Sequence, residues 1–209
     1  MRKILGYGED ALTLWALKHN LNAILDYFND KTAPPSCLVF YRPSFGRSGG
    51  KNSSEFGEFD AIIASSENVY LVESKWDNLG KTKNYKDIIK PVQRLRHDIL
   101  SWYLTHWDKK YRNKWGDFIK EQKLHYQEET KKRNMPGPAT LLTRNLEFVL
   151  GELLKHCKGF SGEDSIKNVL LFFYSKKKPG IKTKERKDFD LVFINYSTEV
   201  TDRNFITLD

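Results

Sequence analysis

The sequence predicts an α/β domain whose elements run helix, strand, strand, strand, helical region, strand, strand. Three observations predict it. Apolar side chains recur at helical spacing over 8–29 and again over 140–156. Two runs rich in β-branched and aromatic residues, 57–64 and 69–75, flank the polar link Ser65-Ser66-Glu67-Asn68, as a hairpin requires. Further on, the continuous apolar run Val169-Leu170-Leu171-Phe172-Phe173 suits an interior strand. At 209 residues the chain reads as one domain spanning 1–209, with a helical insertion at about 107–135.

In the first helix, Leu14, Leu17, Leu21, Ile24, Leu25 and Phe28 form the apolar stripe. Glu9 and Asp10 fall in its first turn, where the helix dipole favours negative charge. Glu9 shares the side of Leu12, Ala16 and Ala23, and the small alanines let that side approach a sheet closely; Asp10 points elsewhere. Turn signals including Pro34-Pro35 lead into a short strand at 37–41, apolar enough to be buried on both faces. Residues 42–56 carry Arg42, Arg47 and Lys51 among glycines and serines. They read either as a plain surface loop or as a mobile arm that contacts phosphate. After the strand at 69–75, a polar loop over 80–86 holds three lysines, Lys81 and Lys83 among them.

Pro91 opens the next helix, where a missing N–H is tolerated. Val92, Leu95, Ile99 and Tyr103 form its stripe, leaving Gln93, Arg94 and Arg96 off it. Segment 107–135 interleaves Lys and Arg with Trp107, Tyr111, Trp115, Phe118 and Tyr126. It is either a nucleic-acid-binding surface or a charged helical insertion packed by its own aromatics, with Trp115, Phe118 and Ile119 as anchors. Met135-Pro136-Gly137-Pro138 ends it. The helix at 140–156 buries Leu142, Leu146, Val149, Leu150, Leu153 and Leu154. A strand at 167–174, the basic tract Lys176-Lys177-Lys178, a strand at 189–194 and a polar tail complete the chain.

The hairpin fixes which side chains meet. With Ala64 opposite Val69, Ile62 faces Leu71, Asp60 faces Glu73 and Glu58 faces Lys75, all on one face. Opposed Cβ atoms lie ~4.5–5.5 Å apart. Two carboxylates repel at that distance, so a positive group is expected between them, a divalent cation being the simplest. Glu58 is expected to hold Lys75 in place.

Gly57-Glu58-Phe59-Asp60, followed by Glu73-Ser74-Lys75, resembles the core of the PD-(D/E)xK nuclease superfamily. That superfamily includes many type II restriction endonucleases and the archaeal Holliday junction resolvases. Phe59 stands where the family's name has proline. The resemblance implies a restriction-endonuclease-like α-β-β-β-α-β core, a mixed central sheet flanked by helices. It implies a Mg²⁺-dependent DNA endonuclease, with Mn²⁺ able to substitute. Asp60, Glu73 and the Ser74 carbonyl are the implied metal ligands, with Lys75 beside the attacking water or a phosphate oxygen. Glu9 either joins them from the first helix, as an acidic residue does in many members, or only stabilises that helix start. Gln93 lies where several branches carry a glutamine, and His97 where some carry a tyrosine. Arg42, Arg47, Lys51, Lys81, Lys83, Gln93 and Arg94 are the expected nucleic-acid contacts. A type II restriction enzyme is the leading role. The alternatives are a structure-specific or repair nuclease, and a non-catalytic nucleic-acid-binding protein on the same fold. Symmetric cutting of both strands implies a homodimer.

The formal net charge of +8 and pI of about 9.3 suit a polyanion partner. Two cysteines, Cys37 and Cys157, are too few for a disulfide framework and lack metal-ligand spacing. So few cysteines make a reducing cytoplasm the expected compartment. The N-terminus lacks a leader-like apolar run, and nothing is near the ~20 apolar residues of a membrane span. His19, His97, His106, His125 and His156 are scattered and read as surface or packed residues. No nucleotide-cradling Gly-x-x-x-x-Gly-Lys-Ser/Thr occurs.

Overall fold

A computed structural model of the chain describes residues 3–46, 52–76, 89–130, 132–175, 178, 188–198 and 205–208. The chain begins with β1 (Leu5–Tyr7), α1 (Glu9–His19), α2 (Leu21–Tyr27), β2 (Leu38–Tyr41) and β3 (Ser44–Phe45). Next come β4 (Gly57–Glu58), β5 (Ala61–Ala64), β6 (Val69–Trp76) and α3 (Pro91–His106). It ends with α4 (Trp115–Glu129), α5 (Leu141–His156), β7 (Ile166–Tyr174), β8 (Asp190–Asn195) and β9 (Phe205–Thr207). Five strands form a mixed central sheet in the order β2-β5-β6-β7-β8, flanked by helices. The first two pairings are antiparallel and the last two parallel. Ala64 pairs with Val69 and Ile62 with Leu71, the register that the four-residue link imposes.

Alternation along β6 divides the core. Val69 and Leu71 join α3, α4 and α5 on one face, while Tyr70 and Val72 join α1 and α2 on the other. On α1 the buried side carries Leu12, Ala16 and Thr13, the side that also bears Glu9; Leu14 is only half-buried. The helix expected over 8–29 breaks at Asn20, whose N–H closes the first segment on Ala16 O while its own carbonyl starts the next.

The segment at 107–135 folds as a packed unit. Trp107, Tyr111, Trp115, Phe118 and Tyr126 are all buried and stack upon one another and on Trp102 and Tyr103 of α3. Its aromatics therefore serve the core, and their rings are not available as a nucleic-acid surface. Two expectations about loops change. The basic loop is ordered at both described ends, where β3 pairs with β4 and Asn134 N–H reaches Asn52 O. The polar tail contributes β9, which pairs with β1 and packs Phe205 on Tyr7. Gly6 in β1 is a close approach: a Cβ there would lie 2.6 Å from Ala11 Cβ.

One buried carboxylate ties the sheet's hairpin end to α2. Asp30, 4% exposed, accepts on Oδ2 from Ser65 Oγ (2.5 Å), Tyr70 OH (2.6 Å) and Asn68 Nδ2 (3.1 Å). Its Oδ1 accepts from Thr32 N–H at 2.9 Å. Burial alone would raise its pKa, but these donors bring it well below the ordinary carboxylate range. Among the described residues no helix is long and apolar enough to cross a membrane.

Candidate active site

Three segments deliver side chains to the carboxyl end of β6. The β5 ladder on β6 ends at the Ala61–Val72 pair, so beyond it the edge of β6 away from β7 has main-chain donors without a strand partner. The side chain of Asp60 takes one of them: its Oδ2 accepts from Ser74 N–H at 2.7 Å. Arg42 N–H in turn bonds Asp60 O at 3.1 Å, fixing the residue from behind. The expected Asp60–Glu73 pair is not a ladder pair, since pairing stops at Ala61 and Val72; Asp60 instead caps the strand at Ser74, the residue next to Glu73.

Glu73 follows Leu71 by alternation onto the α3 face, where it is 1% exposed. An isolated carboxylate at that depth is costly, and α3 supplies its partners. Gln93 Nε2 donates to Oε2 at 2.6 Å, and His97 Nε2 lies 3.2 Å from Oε1. Arg96 approaches both oxygens, with Nε 3.2 Å from Oε1 as an ion pair and Nη2 3.5 Å from Oε2. Helix initiation orients Gln93. Its Oε1 accepts the N–H of Lys90 at 2.9 Å, leaving the amide NH₂ to point at Glu73. His97 is wedged between the rings of Phe59 and Phe189, with centroids 4.9 and 4.6 Å away, and its Nδ1 meets Asn168 Oδ1 at 2.8 Å.

The apolar stripe predicted for α3 shifts accordingly. Val92 is exposed, whereas Gln93 and His97 turn inward with Ile99, Leu100 and Tyr103. Counting apolar residues alone puts polar side chains on the solvent side; a buried carboxylate on the facing strand reverses that. The signal was the spacing of Gln93 and His97, which as i and i+4 share a face.

Lys75 is held by Glu9 and not by Glu58. Glu9 Oε1 lies 3.3 Å from Lys75 Nζ, and its Oε2 accepts Trp76 N–H at 2.9 Å. Glu58 cannot reach Lys75 because β4 leaves the sheet to pair with β3, with Glu58 opposite Ser44. Its carboxylate instead binds Arg42, which also bonds Asp10. Ser74 turns its hydroxyl to Thr13 at 2.8 Å, so only its main chain faces the cluster.

Of the expected nucleic-acid contacts, Arg42 is a strut between Asp10 and Glu58. Gln93 belongs to the Glu73 cradle. Arg94 pairs with Asp188 and lies 5.7 Å over the Phe189 ring. Arg47, Lys51, Lys81 and Lys83 lie outside the described residues.

The electrostatics follow from this crowding. Burial first, then the charge of Glu73, push the Asp60 carboxyl up to about 6. Glu9 pushes the same way, while the Ser74 N–H and Lys75 oppose it. Among the described residues no group of three or more His, Cys, Asp or Glu is arranged to hold a metal ion. The oxygen donors here are two carboxylates and a main chain. Asp60 Oδ1 takes no protein hydrogen bond among the described residues, whereas both oxygens of Glu73 are engaged. Comparison with family models, curated proteins and solved structures found no match. The open oxygen of Asp60, with negative charge around it that the Ser74 N–H and Lys75 offset only in part, is what a hard divalent cation would use. The Arg96 guanidinium supplies part of the positive charge that the pair requires.

Proposed function

We propose that this chain is a Mg²⁺-dependent DNA endonuclease with a restriction-endonuclease-like fold, hydrolysing phosphodiester bonds. The observation that carries the reading is the convergence of Glu9, Asp60, Glu73 and Lys75, from α1, the approach to β5 and β6, at one end of the mixed sheet. Asp60, Glu73 and the Ser74 carbonyl are the groups that would hold the ion. A bound Mg²⁺ would supply Lewis acidity, stabilising charge on the phosphate and lowering the pKa of the attacking water. Lys75 would hold that water or a phosphate oxygen, and Glu9 fixes its position. Gln93 and His97 hold the Glu73 carboxylate in one orientation. The net charge of +8 supports a DNA substrate. Type II restriction by a homodimer is the leading role, and a structure-specific or repair nuclease the alternative. Supercoiled plasmid incubated with Mg²⁺ should be nicked or linearised, and EDTA should stop it. Sequencing the ends separates one fixed site from a structural preference.

Arg96 favours a second reading. A nucleic-acid-binding protein without catalysis needs no metal, and Glu73 already has a cation beside it. The variant Arg96→Met separates the two. It should cost the metal-free protein about 1–2 kcal/mol, because Gln93 and His97 remain on Glu73. In the endonuclease reading it should also enlarge the rise in melting temperature on adding Mg²⁺, since a competing cation is gone. Thermal scans with and without Mg²⁺ check both expectations. No Mg²⁺ response in either protein supports binding without cleavage.

A further inference from the structure

A concavity lies away from the carboxylates, between the chain just after α3 and the outer face of α5. It encloses about 540 Å³, within the usual range for ligand sites. Arg144, Phe148, Gly151 and Lys155 line one wall at helical spacing, and Lys109 and Arg112 line the other. Trp107, which borders it, follows Gln93 by fourteen positions, so the groove sits about 20 Å from Glu73 along α3.

Three features point to an occupant. The first is charge. Lys155 pairs with Glu152, and Glu147 accepts the N–H of Asn113. Lys109, Arg112 and Arg144 have no carboxylate partner among the described residues. The second is Phe148, which is 62% exposed. A T-shaped contact with Phe40 (6.1 Å, 85°) fixes its ring plane without covering it. The third is Gly151. It lies in the interior of α5, where glycine is less stable than alanine. Yet a Cβ there would meet nothing within 4 Å, so internal packing does not require it. A glycine that internal packing does not require leaves the α5 wall of the groove open beside Phe148.

We propose that this groove binds a single-stranded segment of nucleic acid. One base stacks on Phe148, and the flanking phosphates meet Arg112, Arg144 and Lys109. The site does not rest on the cleavage reading, because it is tested by binding alone in EDTA. A labelled oligothymidylate, followed by fluorescence anisotropy, should bind the intact chain. Phe148→Ala and Gly151→Leu should each weaken binding about tenfold or more. Replacing Arg112 and Arg144 with Gln should flatten the salt dependence by about 0.7 per lost phosphate contact. Gly151→Leu should leave the melting temperature undiminished, and Gly151→Ala should raise it by about 2–4 °C, so lost binding is not lost folding. Lys120→Gln and Lys123→Gln on α4 are the controls and should change little. The inference is overturned if Phe148→Ala and Gly151→Leu bind as the unaltered protein does, or if the controls weaken binding as much. It is also overturned if a mononucleotide binds as tightly as the strand, which would assign the groove to a free nucleotide.

Discussion

Replacing Asp60 with asparagine is expected to reduce Mg²⁺-dependent cleavage by on the order of 10³-fold while making the metal-free protein more stable. The two effects have one cause. Asp60 is buried beside Glu73 and Glu9, and its carboxyl is pushed up to about 6. A carboxyl with a raised folded pKa binds its proton longer in the native state than in the unfolded chain. Stability therefore falls as pH rises from about 4 to 6, and the full penalty stands above that range. Asparagine keeps an oxygen for the Ser74 N–H and carries no charge. At pH 8 the gain should be on the order of 2 kcal/mol, or about 5 °C in melting temperature. Below pH 4 the two proteins should melt alike. Mg²⁺ should stabilise the unaltered protein and leave the variant's melting temperature where it was. Cleavage by the variant at the parent rate would remove Asp60 from the chemistry. A variant less stable than its parent at pH 8 would show that the charge is better compensated than its neighbours suggest.

The central hairpin was legible because two independent signals agreed on it. Alternating apolar positions set the faces, and the four-residue polar link set the register, so Ala64 had to meet Val69. The same reasoning failed one step further out. Extending the register to Glu58 assumed that 57–64 is one strand, but the chain turns aside at Phe59 and β4 pairs with β3. A two-residue strand has no period to read, and neither do β1 and β9, whose pairing joins the ends of the described chain. The partners of Glu73 were hidden for another reason. Hydrophobic periodicity ranks Val92 above Gln93, yet burial on α3 is decided by the carboxylate opposite, which calls for donors. The expectation of a positive group near Asp60 and Glu73 followed from Coulomb repulsion alone. Repulsion names the sign of the missing charge and not its carrier, and Arg96 brings that sign from twenty-three positions away. In 107–135 the density of large aromatics was informative, but stacking on bases and packing in a core ask for the same side chains. Only the burial of Trp115, Phe118 and Tyr126 decides between them.

Asp30→Ala should damage the fold severely, by about 3–5 kcal/mol, with the melting temperature lowered by about 10 °C. The loss is not that of a single contact. Ser65, Tyr70 and Asn68 all converge on one oxygen of Asp30, and Tyr70 and Ser65 are fully buried. Truncation leaves their polar groups in a dry interior with nothing to meet, which is costlier than losing a bond at the surface. Ser65 and Asn68 belong to the link between β5 and β6, so the damage reaches the hairpin whose far end carries Asp60 and Glu73. Asp30→Asn keeps the shape and an acceptor but not the charge, and should fall between the two. The pH dependence tests the cause. A carboxyl held below its ordinary range stabilises the fold above the unfolded pKa of about 4 and loses that contribution as pH falls further. The gap in melting temperature between the parent and Asp30→Ala should thus be constant from pH 7 to about 5 and narrow steadily below about 4. A gap that stays the same down to pH 2.5 would mean that the alanine variant suffers from lost volume alone, and that the charge of Asp30 does not hold the hairpin to α2.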